Sequence, residues 1–268
     1  MSDYYEGGSG STLVLLHGLG GSWPIWRPVI PILERRHRVF APTLPGHLGG
    51  PLWPAAQEPT VDGIVDILVD QLAGRQIRRP HVVGNSLGGW IALELARRNA
   101  AASVTALSPA GAWTSLDAYR SVARPFRVAH ALTPILIAAS RPFLGFAGVR
   151  RLLNRQAMEH GERVSADAMR EAMRSFGGTK FLPELLSSME RLGPIKPFAI
   201  GDIPATIAWG EHDRVIPFES YGAPMLEATP GARAATLKGC GHVPMYDDPE
   251  QVAELILATT SKSGDPSL

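Results

Sequence analysis

The chain has 268 residues, of which 45% are hydrophobic and 19% are charged, and its formal net charge is +1. This composition is typical of one α/β unit with a sizeable core, and the lack of a sustained basic run argues against a nucleic-acid partner. The single cysteine excludes an internal disulfide framework. Residues 1–10 are acidic and glycine-rich rather than basic and then apolar, so we expect no signal peptide and a cytoplasmic location.

The first part of the chain predicts strands that alternate with helices. An apolar strand, Thr12–Leu16, runs into a glycine-rich loop, His17–Ser22, and the next predicted helix spans Pro24–Arg36. A short strand, His37–Pro42, comes next, and then an amphipathic helix, Val61–Gln76, capped by the preceding threonine. This alternation predicts an α/β fold with a mainly parallel sheet and helices on both faces.

Residues 84–88, which read Gly-Asn-Ser-Leu-Gly, lie between a short β-branched run and a helical segment, Trp90–Arg98. Strand, tight turn and helix in this order form the context of a G-x-S-x-G nucleophile elbow. The two glycines leave room for the sharp turn because they have no Cβ. Ser86 is therefore predicted to lie at the tip of the turn, facing a helix N-terminus, where developing negative charge is stabilised.

The alternation stops after a strand, Ser103–Leu107. Between residues 112 and 197 the sequence predicts only helices, the clearest being Val128–Ser140, Val149–His160, Ala166–Phe176 and Leu182–Leu192. This block predicts an inserted helical cap (112–197) on a core made of residues 1–111 and 198–268. The first of these helices is the longest apolar stretch, but it is too short to span a bilayer. We expect a buried or lid helix there and no stable membrane insertion.

The core pattern resumes with two strands, Ala205–Trp209 and Ala232–Leu237, each followed by a polar loop and a helix, Ser220–Ala228 and Pro249–Thr259. The loops contain Asp213 and His242. Because the carboxyl ends of parallel strands meet at one edge of a sheet, these side chains can converge on the serine of the elbow.

Four motifs together resemble the α/β-hydrolase fold superfamily, in its serine-nucleophile branch. They are His17-Gly18, the serine motif at 84–88, Gly210-x-x-Asp213-x-x-x-Pro217 and Gly241-His242-x-Pro244. The chain order of serine, acid and histidine is that of the superfamily.

The resemblance implies a catalytic triad. Ser86 would be the nucleophile, His242 the general base and then acid, and Asp213 the residue that orients the imidazole. The backbone N–H groups of Leu87 and Leu19 would form the oxyanion hole.

Four further residues are expected near the substrate. Gly20, which is the alternative oxyanion donor to its neighbour in the first loop, should line the pocket together with Trp113, Val215 and Val243. No set of His, Cys, Asp or Glu has convincing metal-ligand spacing, so we expect no metal and no cofactor.

Other polar residues compete for the catalytic roles. His17 and His47 are interpreted as loop-fixing residues, His212 as a solvated histidine and Cys240 as a packed thiol. Glu211 could replace the aspartate as the acid, but the spacing to Pro217 in the family's motif favours Asp213.

The expected function is hydrolysis of a carboxylic ester of a small to medium, largely apolar substrate through an acyl-enzyme. A serine at the elbow excludes the chemistry of epoxide hydrolases and haloalkane dehalogenases, which use an aspartate there. The alternative is a C–C bond hydrolase of ring-fission diketone acids; a ligand-binding or signalling protein on a hydrolase scaffold is the alternative from another class. Cap arginines could bind a substrate carboxylate or be simply solvated: Arg120, Arg124, Arg127 and Arg141.

Overall fold

The computed structural model describes residues 3–262, which form a seven-stranded sheet flanked by helices. The strands are β1 (Tyr4–Gly7), β2 (Ser11–Leu16), β3 (His37–Pro42), β4 (His81–Asn85), β5 (Ser103–Leu107), β6 (Ala205–Gly210) and β7 (Arg233–Leu237). Their spatial order is β1-β3-β2-β4-β5-β6-β7. β1 is antiparallel to β3, and every other neighbouring pair is parallel.

Helices cover both faces of the sheet, and four of them form an insertion between β5 and β6. The core helices are α1 (Ile30–Leu33), α2 (Val61–Gly74), α3 (Leu87–Arg97), α8 (Ala223–Ala228), α9 (Pro244–Asp247) and α10 (Pro249–Thr260). The inserted helices are α4 (Leu116–Ser140), α5 (Ala147–Asn154), α6 (Ala166–Gly178) and α7 (Leu182–Leu192). The predicted fold class, a mainly parallel sheet with an inserted helical block, is confirmed; the limits 112 and 197 of the cap stay a prediction.

The central strands are apolar on both faces because each face is covered. In β2, Val14 packs in the cluster that contains α2 and α3, whereas Leu13 and Leu15 pack in the cluster that contains α1 and α10. Successive side chains of a strand point to opposite faces, so a strand buried on both sides reads as a continuous apolar run.

One predicted helix of the core differs from the structure, and one strand was not predicted. The helix expected over Pro24–Arg36 is wrong: a 3-10 turn, Trp23–Trp26, and the single turn of α1 replace it. Each of these turns has a proline at one of its first two positions, where the missing N–H costs nothing, whereas a proline further in would break a longer helix. The strand β1, which was not predicted, pairs with β3 at the sheet edge.

The cap helices also differ in their ends. α4 begins at Leu116 rather than Val128, because Ser115 caps it and the proline at position 125 is accommodated within it. α5 ends at Asn154 instead of continuing to His160. The chain turns there because the Asn154 carbonyl accepts hydrogen bonds from the N–H groups of Ala157 and Met158.

None of the helices within residues 3–262 has the length and apolar content that crossing a membrane would require.

Candidate active site

Ser86 is the single residue between β4 and α3, and its backbone is in an unusual conformation. Its φ is 56° and its ψ is −116°, a region that residues with a Cβ seldom adopt. The Ser86 N–H donates to the Leu107 carbonyl at 3.0 Å, and the Ser86 carbonyl accepts from the N–H groups of Trp90 at 3.1 Å and Ala110 at 2.9 Å. Surrounding backbone therefore holds the serine in the sharp turn that a nucleophile elbow requires.

The glycines of the motif are required by close backbone approach. A Cβ at Gly84 would overlap the Gly88 carbonyl, and a Cβ at Gly88 would overlap the Leu16 carbonyl. Gly18 brings the first loop close to the serine as well, since a Cβ there would lie 3.2 Å from the Cβ of Ser86 and 3.7 Å from its Oγ. The loop after β2 and the N-terminus of α3 thus meet at the serine.

The Asp213 carboxylate is held by three donors. Its Oδ2 lies 2.8 Å from Nδ1 of His242, and its Oδ1 accepts hydrogen bonds from the N–H groups of Val215 and Ile216, each at 2.9 Å. Burial alone would raise the pKa of Asp213, but the neighbouring His242 and the hydrogen bonds that the carboxylate accepts outweigh it and lower the pKa. The carboxylate is therefore ionised beside the imidazole at neutral pH.

The sequence did not indicate three of the side chains that hold the loops of the site in position. Asn85 donates through Nδ2 to the His242 carbonyl at 2.8 Å and to the Leu107 carbonyl at 3.2 Å, which ties the elbow strand to the histidine loop. Ser108 directly follows β5 at the same edge of the sheet; its hydroxyl accepts a hydrogen bond from the Gly210 N–H at 3.3 Å and contributes to the lowered pKa of Asp213. Its position directly after a strand could have indicated a role in the site, but the residue type alone does not distinguish Ser108 from an ordinary loop serine.

Asp247 is the third of them, and it joins the histidine loop to the cap. Its buried carboxylate accepts hydrogen bonds from the N–H groups of Gly241 at 2.8 Å, Glu159 at 3.1 Å and His160 at 2.7 Å. In addition, the Val243 N–H donates to the Ala157 carbonyl at 2.9 Å. Both neighbours of His242 in sequence are thus bonded into this junction between core and cap.

Two cavities meet at Ser86. The larger has a volume of about 280 Å³ and the smaller about 70 Å³. Four residues line both cavities and so lie at the junction between them: Leu19, Ser86, Phe126 and Val215. His242 lines the larger cavity, and the smaller one is mostly aromatic and aliphatic, with Trp90, Trp113 and Tyr119 in its wall.

The other expected site residues are divided between the two cavities. Gly20 and Val243 line the larger cavity, whereas Trp113 and Leu87 line the smaller one. Leu87 is the first residue of α3, and the first N–H groups of a helix have no partner within the helix. Its N–H is thus suited to bind developing negative charge at the junction.

The competing histidines lie apart from the Asp213–His242 pair. Nε2 of His17 accepts a hydrogen bond from the Leu44 N–H at 2.9 Å, so the ring proton is on Nδ1, which donates to the Gly18 carbonyl at 2.8 Å. Burial lowers the pKa of His17 well below its ordinary value, and it lowers that of His47, whose ring centroid lies 4.8 Å away, to about 4. Both rings are therefore neutral at physiological pH and hold the first loop.

The remaining competitors are occupied elsewhere. His212 is half exposed and lies 3.7 Å from Glu159, and the Glu211 carboxylate accepts a hydrogen bond from the Gly239 N–H at 2.8 Å. Burial raises the pKa of the Cys240 thiol to about 12, so it is protonated at neutral pH. Within the part of the chain that the structure describes, no cluster of three or more His, Cys, Asp or Glu could hold a metal ion.

The cap arginines do not line either cavity. Arg120 pairs with Glu190 at 2.6 Å, and Arg127 donates to the Ser187 hydroxyl at 3.1 Å, so both bridge α4 and α7. Arg124 and Arg141 are exposed. A different arginine, Arg27, lines the larger cavity and is paired there with Glu171.

Residues 13–255 match the protein family described as the Alpha/beta hydrolase family. The chain belongs to this family. It is 31% identical over 262 residues to a pimeloyl-[acyl-carrier protein] methyl ester esterase of Aromatoleum aromaticum, covering 91% of this chain and 96% of that one. It is also 33% identical over 182 residues to an epoxide hydrolase of Mycobacterium tuberculosis, covering 66% of this chain and 83% of that protein.

Solved structures of the family share the fold at lower identity. A meta-cleavage product hydrolase from Pseudomonas fluorescens superposes with a TM-score of 0.71 at 19% identity, covering 97% of this chain and 94% of that one. The relatives are named for different hydrolytic reactions on one α/β-hydrolase fold, so membership of the family fixes neither the reaction nor the substrate of this chain.

Proposed function

We propose that this α/β hydrolase cleaves carboxylic esters through an acyl-enzyme formed on Ser86. The observation that carries the proposal is the position of Ser86 at the junction of two largely apolar cavities, one of which is lined by His242, the partner of the buried Asp213 carboxylate. An ester has two arms that diverge from its carbonyl carbon. A nucleophile between two chambers can accommodate one arm on each side.

In the proposed reaction, His242 takes the proton from the Ser86 hydroxyl as the oxygen attacks the carbonyl carbon. Asp213 keeps the imidazole in the Nδ1–H tautomer and stabilises the imidazolium that forms. The N–H groups of Leu87 and Leu19 would receive the negative charge on the carbonyl oxygen, each donor contributing about 3 kcal/mol to the transition state. His242 then protonates the leaving alcohol, and a water molecule releases the acid in a second, equivalent step.

The cavities suggest which arm lies where. Because His242 must protonate the leaving oxygen, the alcohol should depart on the side that the histidine lines, which is the larger cavity. The acyl group then extends into the smaller cavity, whose wall of Trp90, Trp113 and Tyr119 limits its length. We therefore expect short acyl groups and larger alcohols.

Two alternatives are kept. C–C hydrolysis of a diketone acid would bring a carboxylate into the site, but the cavity arginine, Arg27, is already paired with Glu171, which supports the ester reaction. A binding protein on a hydrolase scaffold would show tight ligand binding with negligible turnover.

The test is hydrolysis of p-nitrophenyl esters of increasing acyl length by the wild-type protein and by Ser86→Ala. We expect steady multiple turnover that is fastest for short acyl groups and is lost in the variant. Turnover that persists in Ser86→Ala would contradict the proposal. If no ester is cleaved at any length, while a vinylogous diketone acid is, the C–C reaction replaces it.

A further inference from the structure

The outer side of α4 exposes a row of large apolar side chains. Val128, Leu132, Ile135 and Leu136, which we call the apolar stripe, are spaced by four, three and one residues and thus lie on one side of the helix. Ile135 is 65% exposed. Of the buried or lid helix that the sequence predicted here, the structure excludes only full burial, because nothing in the described chain covers the stripe.

The inner side of the same helix packs against the cavities and the rest of the cap. Phe126 lines both cavities, and the rings of Phe126 and His130 contact Phe176 of α6 with centroid distances of 6.1 Å and 5.6 Å. Thr133 is buried on this side. The inner face of α4 is therefore packed against the rest of the cap, whereas the stripe residues are 40–65% exposed.

Exposed apolar side chains continue past the end of α4. Phe143 and Phe146 lie in the following turn, and Leu152 and Leu153 lie on α5. Eight of the thirteen large apolar side chains that the described chain exposes thus fall within residues 128–153. Such a concentration differs from the scattered apolar residues of an ordinary surface and is typical of an interaction site.

The chain segment that carries this surface contains charged residues of one sign only. Residues 118–158 contain seven arginines and neither aspartate nor glutamate. Residues 112–197 contain thirteen Lys and Arg and seven Asp and Glu, a net charge of +6, so the rest of the chain, with thirteen and eighteen, carries −5. Among the residues that the structure describes, the exposed Arg124, Arg141 and Arg155 pair with no carboxylate.

We propose that the apolar stripe and Phe143, Phe146, Arg124 and Arg141 form a docking surface for an anionic lipid membrane, which the cap contacts without crossing. Apolar side chains that enter the interface and arginines that bind anionic headgroups are the two requirements for binding of this kind. A second copy of the chain is disfavoured as the occupant, since two caps of charge +6 would repel each other. The surface is also a projecting helix rather than a groove, which suits a soft planar partner.

Docking would place lipid on the outside of the helix whose inner side lines the substrate cavities. An apolar ester dissolved in the membrane would then lie close to Ser86, a consequence that rests on the proposed ester hydrolysis. The docking itself does not depend on catalysis, so it should be unchanged in Ser86→Ala.

The test measures cosedimentation with vesicles of phosphatidylcholine alone and of phosphatidylcholine mixed with phosphatidylglycerol. We expect the wild-type protein to bind the mixed vesicles far better. The double variant Leu132→Gln/Ile135→Gln should lose about tenfold in vesicle affinity, and Arg124→Gln/Arg141→Gln should lose about fivefold per arginine, on the mixed vesicles only. The matched control is Leu52→Gln, which removes a 93% exposed leucine from outside this surface and should bind as the wild type does.

Two readouts keep the outcomes distinct. Hydrolysis of a short water-soluble ester should be the same in all these variants, since none of the changed residues lines a cavity. Equal binding of the stripe variant and the wild type, or no vesicle binding at all, would overturn the proposal. A concentration-dependent dimer that Leu132→Gln/Ile135→Gln abolishes would also overturn the proposal. So would binding to an acidic protein, without binding to vesicles, if the same variant abolishes that binding.

Discussion

The carboxyl edge of the sheet and the outer side of the cap differ in which side chains are buried and which are exposed. At the sheet edge, the carboxylate of Asp213 is buried and is bonded to His242 and two backbone N–H groups. On the outer side of α4, apolar groups are exposed, and Arg124 and Arg141 have no carboxylate partner among the described residues. The first arrangement is typical of a preorganised reactive site, and the second of a surface completed by something outside the chain.

The largest effect should come from breaking the buried pair at the sheet edge. Asp213→Asn leaves the shape of the side chain unchanged but removes the charge that stabilises the imidazolium, so kcat for ester hydrolysis should fall by about 10⁴. Circular dichroism and the thermal unfolding midpoint should change little. Glu211→Gln, next but one in the chain, is the control and should retain activity; a comparable loss there would move the acid to Glu211.

The neutral histidines behind the first loop should make the core sensitive to acid. The pKa of His47 is lowered to about 4 in the folded protein, while an unfolded histidine titrates near ~6.5. Above about pH 6.5 protonation of this residue does not reduce the free energy of unfolding. As the pH falls from about 6.5 towards 4 the unfolded state takes up the proton first, and the free energy of unfolding falls by about 3 kcal/mol. Burial shifts the pKa of His17 in the same direction, so it adds to the loss in this window.

Chemical denaturation at a series of pH values measures this slope. His47→Gln should flatten it, whereas His212→Gln, which changes a half-exposed ring, should leave it unchanged. An equal slope in the wild type and in His47→Gln would show that His47 does not contribute to it.

The third prediction concerns Asp247, which joins the histidine loop at the sheet edge to the cap. Asp247→Ala leaves the buried N–H groups of Gly241, Glu159 and His160 without their acceptor, which should cost about 1 to 3 kcal/mol of stability for each that stays dry. Because Gly241 precedes His242, kcat should also fall at a temperature where the variant is fully folded. Asp247→Asn keeps one acceptor oxygen and should recover part of the activity; if stability falls while kcat is unchanged, the role is structural only.

The smallest predicted effect concerns Phe126, which lies between the two cavities and limits the length of the acyl group. Phe126→Ala removes a side chain that lines both, so longer acyl groups should gain relative to short ones, by about tenfold in kcat/KM for a few added methylenes. Phe143→Ala, which truncates an exposed ring outside both cavities, is the control. An unchanged preference in Phe126→Ala would contradict the assignment of the smaller cavity to the acyl group.

The sheet could be predicted from the sequence because buried parallel strands leave a direct pattern. β3 and β5 have the predicted limits, and the serine motif is where strand and helix place it. The edge strand β1 was missed because its residues, Tyr-Tyr-Glu-Gly, have no apolar run. The helix expected after the first loop failed because prolines start new turns there instead of extending one.

The site and the cap were predictable to different degrees. The motifs bring Ser86, Asp213 and His242 to one edge, but Asn85, Ser108 and Asp247 act through contacts between segments far apart in sequence, which no local pattern encodes. Periodicity identified an apolar helix around Val128–Ser140. It could not show that one side of this helix packs on α6 while the other is uncovered, since an apolar side chain has the same sequence signal in either place.

The central claim is that Ser86 is the nucleophile, and covalent labelling tests it most directly. The protein is treated with a fluorophosphonate, which reacts only with an activated serine, and the adduct is located by peptide mass spectrometry. We predict one adduct, on the peptide that carries residues 84–88, together with complete loss of ester hydrolysis, and much slower labelling in Asp213→Asn. An adduct on another residue, or ester hydrolysis that survives full labelling of Ser86, would contradict it.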